Sequence, residues 1–131
     1  MRFMLFIHPN LPTSTEEENL IPSREAIGAM SHYNRQLREA GVLLDVNGLH
    51  SPNEAVRVSF PDGKPQVVDG PFAETKELVG GYWILDVKSK AEAIEWAKRC
   101  PIDAEGPMIE VRQIFEISDF PPELQEAVWL G

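Results

Sequence analysis

Cysteine is nearly absent: Cys100 is the single one in 131 residues, so no internal disulfide can form. The fold does not depend on an oxidising compartment. Long hydrophobic runs are missing too. The N-terminal "MRFMLFIHPN" holds five consecutive apolar residues, Phe3 to Ile7. That is too short for a signal core and far too short to span a bilayer. A cytoplasmic protein without a membrane role is expected. Positive charge is scarce, with 12 Lys and Arg against 21 Asp and Glu, a net charge of −9. Such a field repels phosphate backbones, and no basic cluster offsets it, so nucleic acid is not an expected partner. The sequence has no Gly-rich phosphate loop, no nucleophile elbow and no CxxC pair, and no cofactor or metal is expected.

What is present suits one ordinary domain. Hydrophobic residues make up 43% and charged residues 25% of the chain. A chain of this length can bury a core without staples. "RFMLFI" reads as a buried strand stopped by His8-Pro9. "NLPTSTEEENLIP" reads as a loop. Ser23 is placed to cap a helix, with Ala26, Met30, Tyr33, Leu37 and Ala40 forming one apolar stripe and Gly41 ending it. "VLLDVNGLH" is a second strand. "AVRVSF" and "PQVVD" flank a Pro-Asp-Gly turn and predict a hairpin. "LVGGYWILDV" is a third core strand, whose glycines suggest a bulge or a close backbone approach. Ser89 and Glu92 have the spacing of a capping box, predicting a helix that ends before Pro101. "MIEVRQIFEI" is the last strand, and "DFPPELQEAVWL" a short tail helix with Leu124 and Val128 on one face. Without the hairpin the order is βαββαβ, the ferredoxin-like arrangement.

Four stretches, "DGPFAETKE", "GLH", "EAIEWAKRCP" and "IEVRQIFE", resemble the DGPF branch of the YCII-related proteins. The likeness runs from Met1 to about Ile117, which sets a domain over 1–117 and a tail over 118–131. The resemblance implies an α+β ferredoxin-like fold assembled as a homodimer, a dimeric α+β barrel whose sheets face each other. It also implies a genomic association with sigma factors, and a related enzyme that acts on a chlorinated hydroxyhydroquinone. Some members carry a His–Asp pair in a cleft. Here the region that would hold the His reads "PSREAIGAM", and Glu39 stands where the acid would be. That mechanism is therefore not carried over.

Topology gathers another set. His8 ends the first strand, His50 ends the second, and the DGPF stretch enters the third, all at one edge of the sheet. The first and second strands lie two spacings apart, about 9–10 Å, so a direct bond between the two His is not expected. Asp69, Glu74, Lys76 and Glu77 are the available partners. A His beside a carboxylate supports acid–base chemistry near neutral pH, of the lyase or isomerase kind, on a small molecule. In this reading Asp69, His50 and His8 are catalytic, while Glu74, Lys76, Glu77 and Trp83 contact the ligand.

Each of these residues also has a plain structural reading. Asp69 and Gly70 make an Asx turn at a strand-to-strand corner. His8, His32 and His50 lie at surface positions. Trp83 packs in the core or on a dimer face. Cys100, at a helix C-terminus, is a structural thiol. A separate reading is a non-catalytic interaction module. Residues 116–131 hold four acids and no Lys or Arg, and Leu124, Val128 and Trp129 could offer a patch to a protein partner.

Overall fold

The computed structural model describes residues 1–9, 22–70, 78–102 and 106–129. Six strands and two α-helices follow in the order β1 (Arg2–His8), α1 (Arg24–Glu39), β2 (Leu43–Gly48), β3 (Val56–Ser59), β4 (Gln66–Asp69), β5 (Gly81–Asp86), α2 (Lys90–Lys98) and β6 (Met108–Gln113). Strands β2-β5-β1-β6 form one antiparallel sheet in that order, and among the described residues β3 and β4 pair only with each other. With the hairpin set aside, this is a mixed α+β architecture compatible with a ferredoxin-like fold.

Local chemistry sets the helix ends. The Ser23 hydroxyl accepts from the Ala26 N–H at 3.1 Å and opens α1. At the other end the Val42 N–H donates to the Leu37 carbonyl and the Gly41 N–H to the Arg38 carbonyl. This is a Schellman cap, and its turn requires the positive φ of 74° that Gly41 supplies. At α2 the Ser89 hydroxyl accepts from Glu92 N–H at 3.1 Å, as the capping box requires. The Glu92 carboxylate, however, accepts from Lys88 N–H at 2.9 Å, one residue earlier than that motif prescribes.

Both helices cover one face of the sheet. Phe3, Leu5, Trp83 and Leu85 alternate inward from β1 and β5 and meet Tyr33, Leu37 and Ala93 of the helices, all nearly inaccessible. Of the stripe on α1, only Tyr33 and Leu37 are buried and Met30 is half-buried; Ala26 and Ala40 lie exposed at the frayed ends of the contact. Tyr33 and Trp83 cross edge to face with centroids 5.7 Å apart. The Tyr33 hydroxyl donates to the Trp96 carbonyl at 2.7 Å, and burial raises its pKa above the ordinary phenol value. The opposite face carries Met4, Phe6 and Ile84, half-buried, and neither α1 nor α2 covers it among the described residues.

Three sequence expectations need adjustment. Strand β2 is shorter than Val42–His50 and carries a register shift between Leu43 and Asp45. The tail is two short 3₁₀ segments, Ile117–Asp119 and Pro122–Ala127, rather than an α-helix. Consecutive prolines at 121 and 122 remove donors that an α-helical start would use elsewhere, and the tighter turn results. Finally, the hairpin stands apart from the main sheet. Asp62 and Gly63 both take positive φ, 55° and 77°, in the turn read from "PDGK". All eight strand residues of the hairpin are exposed, including Val56, Val58, Val67 and Val68.

Candidate active site

The end of the sheet holds the sequence candidates, and β5 organises it. The Gly80 N–H donates to the Ile7 carbonyl at 2.8 Å, while the Leu49 N–H donates to the Gly80 carbonyl at 3.0 Å. Segment 78–80 is thus stitched to the ends of both β1 and β2. His8 and His50 flank it on either side and do not bond to each other, as the strand spacing requires. Gly81 allows the approach: a Cβ there would lie 2.9 Å from the Asn47 carbonyl oxygen.

His8 is the better enclosed of the two, with 12% of its side chain accessible. Its Nδ1 lies 3.2 Å from the Leu78 carbonyl oxygen, and its Nε2 3.2 Å from Glu110 Oε1. A carbonyl only accepts, so Nδ1 carries a proton. The second contact sets an imidazole nitrogen against a carboxylate oxygen, and Arg112 Nε stands 3.7 Å from the other Glu110 oxygen.

Glu110 was not among the partners expected for His8. Phe6 lies opposite Glu110 and His8 opposite Met108 in the β1–β6 ladder, so the two reach each other diagonally on the open face. The alternation of "MIEVRQ" carried that signal, but only once the register was known. His50 differs again. It is 94% exposed and sits 3.1 Å from Glu54, four residues on, across a 3₁₀ turn at Pro52–Glu54. That spacing was readable in "HSPNE".

Asp69 ends β4 opposite Val56, exposed, and the Gly70 N–H donates to the Ala55 carbonyl at 2.9 Å. This extends the hairpin ladder by one rung. The structure does not bring Asp69 into contact with either His among the described residues. Glu74, Lys76 and Glu77 lie outside the described residues, as does the rest of the motif after Gly70. Trp83 is 3% exposed and its indole N–H donates to Asn34 Oδ1 at 2.8 Å. It is a core residue, and a ligand on the surface would reach it only through Asn34. Cys100 is half-buried, and burial pushes its thiol up to about 11.

A cleft of about 350 Å³ opens between the end of β2, the foot of the hairpin and segment 78–79. Its wall combines Leu49, Val56, Leu78 and Val79 with the polar groups of His50, Ser51, Glu54 and Arg57. The Ser51 hydroxyl accepts from Asn53 N–H at 3.2 Å, and Asn53 Oδ1 beside it is buried with no hydrogen-bond partner. The mix of apolar wall and a few polar groups is what small-molecule sites offer. Among the described residues, no three His, Cys, Asp or Glu side chains gather as a metal site, and no helix is long and apolar enough to cross a membrane.

The YCII-related domain matches residues 1–118, nearly the whole chain. The chain belongs to the YCII-related family. It is also 38% identical over 69 residues to an uncharacterised protein of Rhizobium meliloti (strain 1021), a match covering 53% of this chain and 56% of the other. The similarity thus spans little more than half the length of that relative. For a YCII-related chain, the α1 region deserves one comparison: no His occupies its first turns, and Glu39 is exposed at its end. Imidazole–carboxylate contacts occur elsewhere, between His8 and Glu110 on the sheet and between His50 and Glu54 beyond β2.

Proposed function

We propose that this YCII-related protein binds a small metabolite in the cleft at the end of its sheet, as a homodimer of the DGPF branch, and works on it by acid–base chemistry of the lyase or isomerase type. The observation that carries this reading is the link between the cleft and an imidazole–carboxylate pair: Leu78 lines the cleft, its carbonyl accepts from His8 Nδ1, and the same imidazole meets Glu110 through Nε2. His50 and Glu54 add a second imidazole–carboxylate pair on the rim. Asp69, Glu74, Lys76 and Glu77 shortly precede Leu78 in sequence and are proposed as further ligand contacts.

Thermal-shift measurements across a panel of polar and aromatic metabolites test it, comparing the wild type with a His8→Gln/His50→Ala double variant. At least one compound should raise the wild-type midpoint and leave the variant unmoved. No response in either protein, or equal responses in both, sinks the site.

The dimer is supported by the hairpin. An isolated two-stranded ribbon is marginal in water, yet β3–β4 exposes Val56, Val58, Phe60, Val67 and Val68. A second copy would cover it together with Met4, Phe6 and Ile84 on the open sheet face. A monomeric mass by sedimentation at micromolar concentration refutes the dimer.

A second reading, an interaction module for a protein such as a sigma factor, draws support from the tail. Trp129 is 88% exposed and Leu124 49% exposed on an acidic segment. A pull-down with the full chain and with a chain cut at Ser118 decides it: loss of the partner on truncation favours this reading, and no partner in either case removes it.

A further inference from the structure

The outer face of α1 carries a pattern that the cleft does not use. Ser31, Asn34, Arg35 and Arg38 follow the i, i+3, i+4, i+7 spacing of one helix face. Together with Leu43 and Val46 of β2 they line a groove of about 260 Å³. Every polar side chain in that lining can donate a hydrogen bond, and none is acidic, in a chain whose net charge is −9.

The orientation of Asn34 is fixed by chemistry. The Trp83 indole N–H can only donate, so the Asn34 oxygen faces inward to accept it at 2.8 Å. The amide NH₂ is left for the groove. Arg35 and Arg38 are three residues apart, with Cβ atoms about 5–6 Å from each other. No ion pair joins either to a described carboxylate. A planar guanidinium fork matches the oxygens of a carboxylate or phosphate group, and this face carries two. Leu43 and Val46 give an apolar wall for a short hydrocarbon body beside the charged end.

We propose that this groove binds a small organic anion, a carboxylate or phosphate monoester carrying an aryl or short alkyl group. The site is independent of the cleft at the sheet end, although both touch β2: the groove takes Leu43 and Val46, the cleft begins at Leu49.

Phenyl phosphate, benzoate and inorganic phosphate serve as probes, titrated into the full chain at constant ionic strength and followed by amide and indole NMR signals. Phenyl phosphate or benzoate should give saturable shifts at Ser31, Asn34, Leu43 and Val46 and at the Trp83 indole N–H, with a Kd on the order of 1 mM or tighter. Inorganic phosphate should bind at least several-fold more weakly, because it has nothing to lay on Leu43 and Val46. Which organic probe binds more tightly assigns the head group. The Arg35→Gln/Arg38→Gln variant should lose at least tenfold in affinity, while Arg24→Gln, at the exposed far end of α1, should bind as the wild type does. Linear shifts that never saturate overturn the proposal in the wild type alone, whatever the variants do. Equal weakening by Arg24→Gln and by the double variant overturns it as well, since only the general field would then be at work.

Discussion

Gly81→Ala tests whether close contact between β5 and β2 holds the end of the sheet together. The added methyl would sit 2.9 Å from the Asn47 carbonyl oxygen and 3.3 Å from Gly48 Cα. Both are backbone atoms, so no side-chain rotation relieves the clash. Either β2 moves outward or the pairing near Gly48 opens. Forcing one methyl into a packed site costs about 1–3 kcal/mol. Against this, Ala restricts the unfolded chain more than Gly does, which returns about 0.4–1 kcal/mol. Because β2 is an edge strand and can yield, the net loss should fall at about 0.5–2 kcal/mol. For a chain of this size that lowers the melting midpoint by roughly 2–8 °C. Gly48→Ala is the internal control, since a methyl there meets nothing within 4 Å. It carries the same unfolded-state gain without the clash, so it should be neutral or slightly stabilising. Urea midpoints for the two variants and the wild type give the comparison. Amide exchange at Leu49, which donates to Gly80, should accelerate in Gly81→Ala alone. Equal midpoints for the two variants would refute the idea that this contact is tight.

Other outcomes follow from the same geometry. Asn34→Ala leaves the buried Trp83 N–H without an acceptor and should cost about 1–3 kcal/mol in urea unfolding, with a shift of the indole signal. Glu116 is bound to Arg2 by two hydrogen bonds, at 2.8 and 3.1 Å, which hold its carboxyl below the ordinary carboxylate range. The folded value is the depressed one, so the stabilisation is present above the ordinary range and is lost as pH falls through the folded value. The stability gap between wild type and Glu116→Gln should therefore shrink on acidification and persist at neutral pH. Cys100 should react slowly with a thiol reagent at pH 8 in the native protein, because its thiolate forms only near pH 11, and at the free-thiol rate once urea unfolds the chain. Lysines at Val58 and Val67, which face each other in the hairpin, should lower the sedimenting mass if a second copy covers that ribbon.

Much of the fold was legible because local signals and the global pattern agree. The helix caps at Ser23, Gly41 and Ser89 were written in single residues, and the Pro-Asp-Gly turn named its own hairpin. The strand order followed from the βαββαβ element order alone. Where the reading failed, the missing information was non-local. The contact of His8 with Glu110 was not foreseen because it depends on the register between β1 and β6, strands far apart in sequence. The bulge in β2 and the 3₁₀ geometry of the tail arise from how those segments pack, which propensity does not encode. Trp83 shows the opposite case. Its buried place was implied by alternation with Leu85, while its role as the inward anchor of Asn34 needed the helix and the sheet together. At the sheet end, His8 and His50 flank segment 78–80 as the element order implied, while their contacts with Glu110 and Glu54 were not read from the sequence.

The placement of β1 has a consequence for how the protein is made. Its neighbours are β5 and β6, so Phe3 pairs with Leu85 on one side and Gln113 on the other. In chain order the apolar run Phe3–Ile7 precedes both of its partners. Until β5 has been made the strand has two open edges, and until synthesis passes Gln113 the edge that β6 covers stays open. Pairings this distant in sequence close slowly. The nascent chain therefore carries this apolar segment incompletely paired until β6 is made, and an exposed strand edge of that kind invites association with other chains.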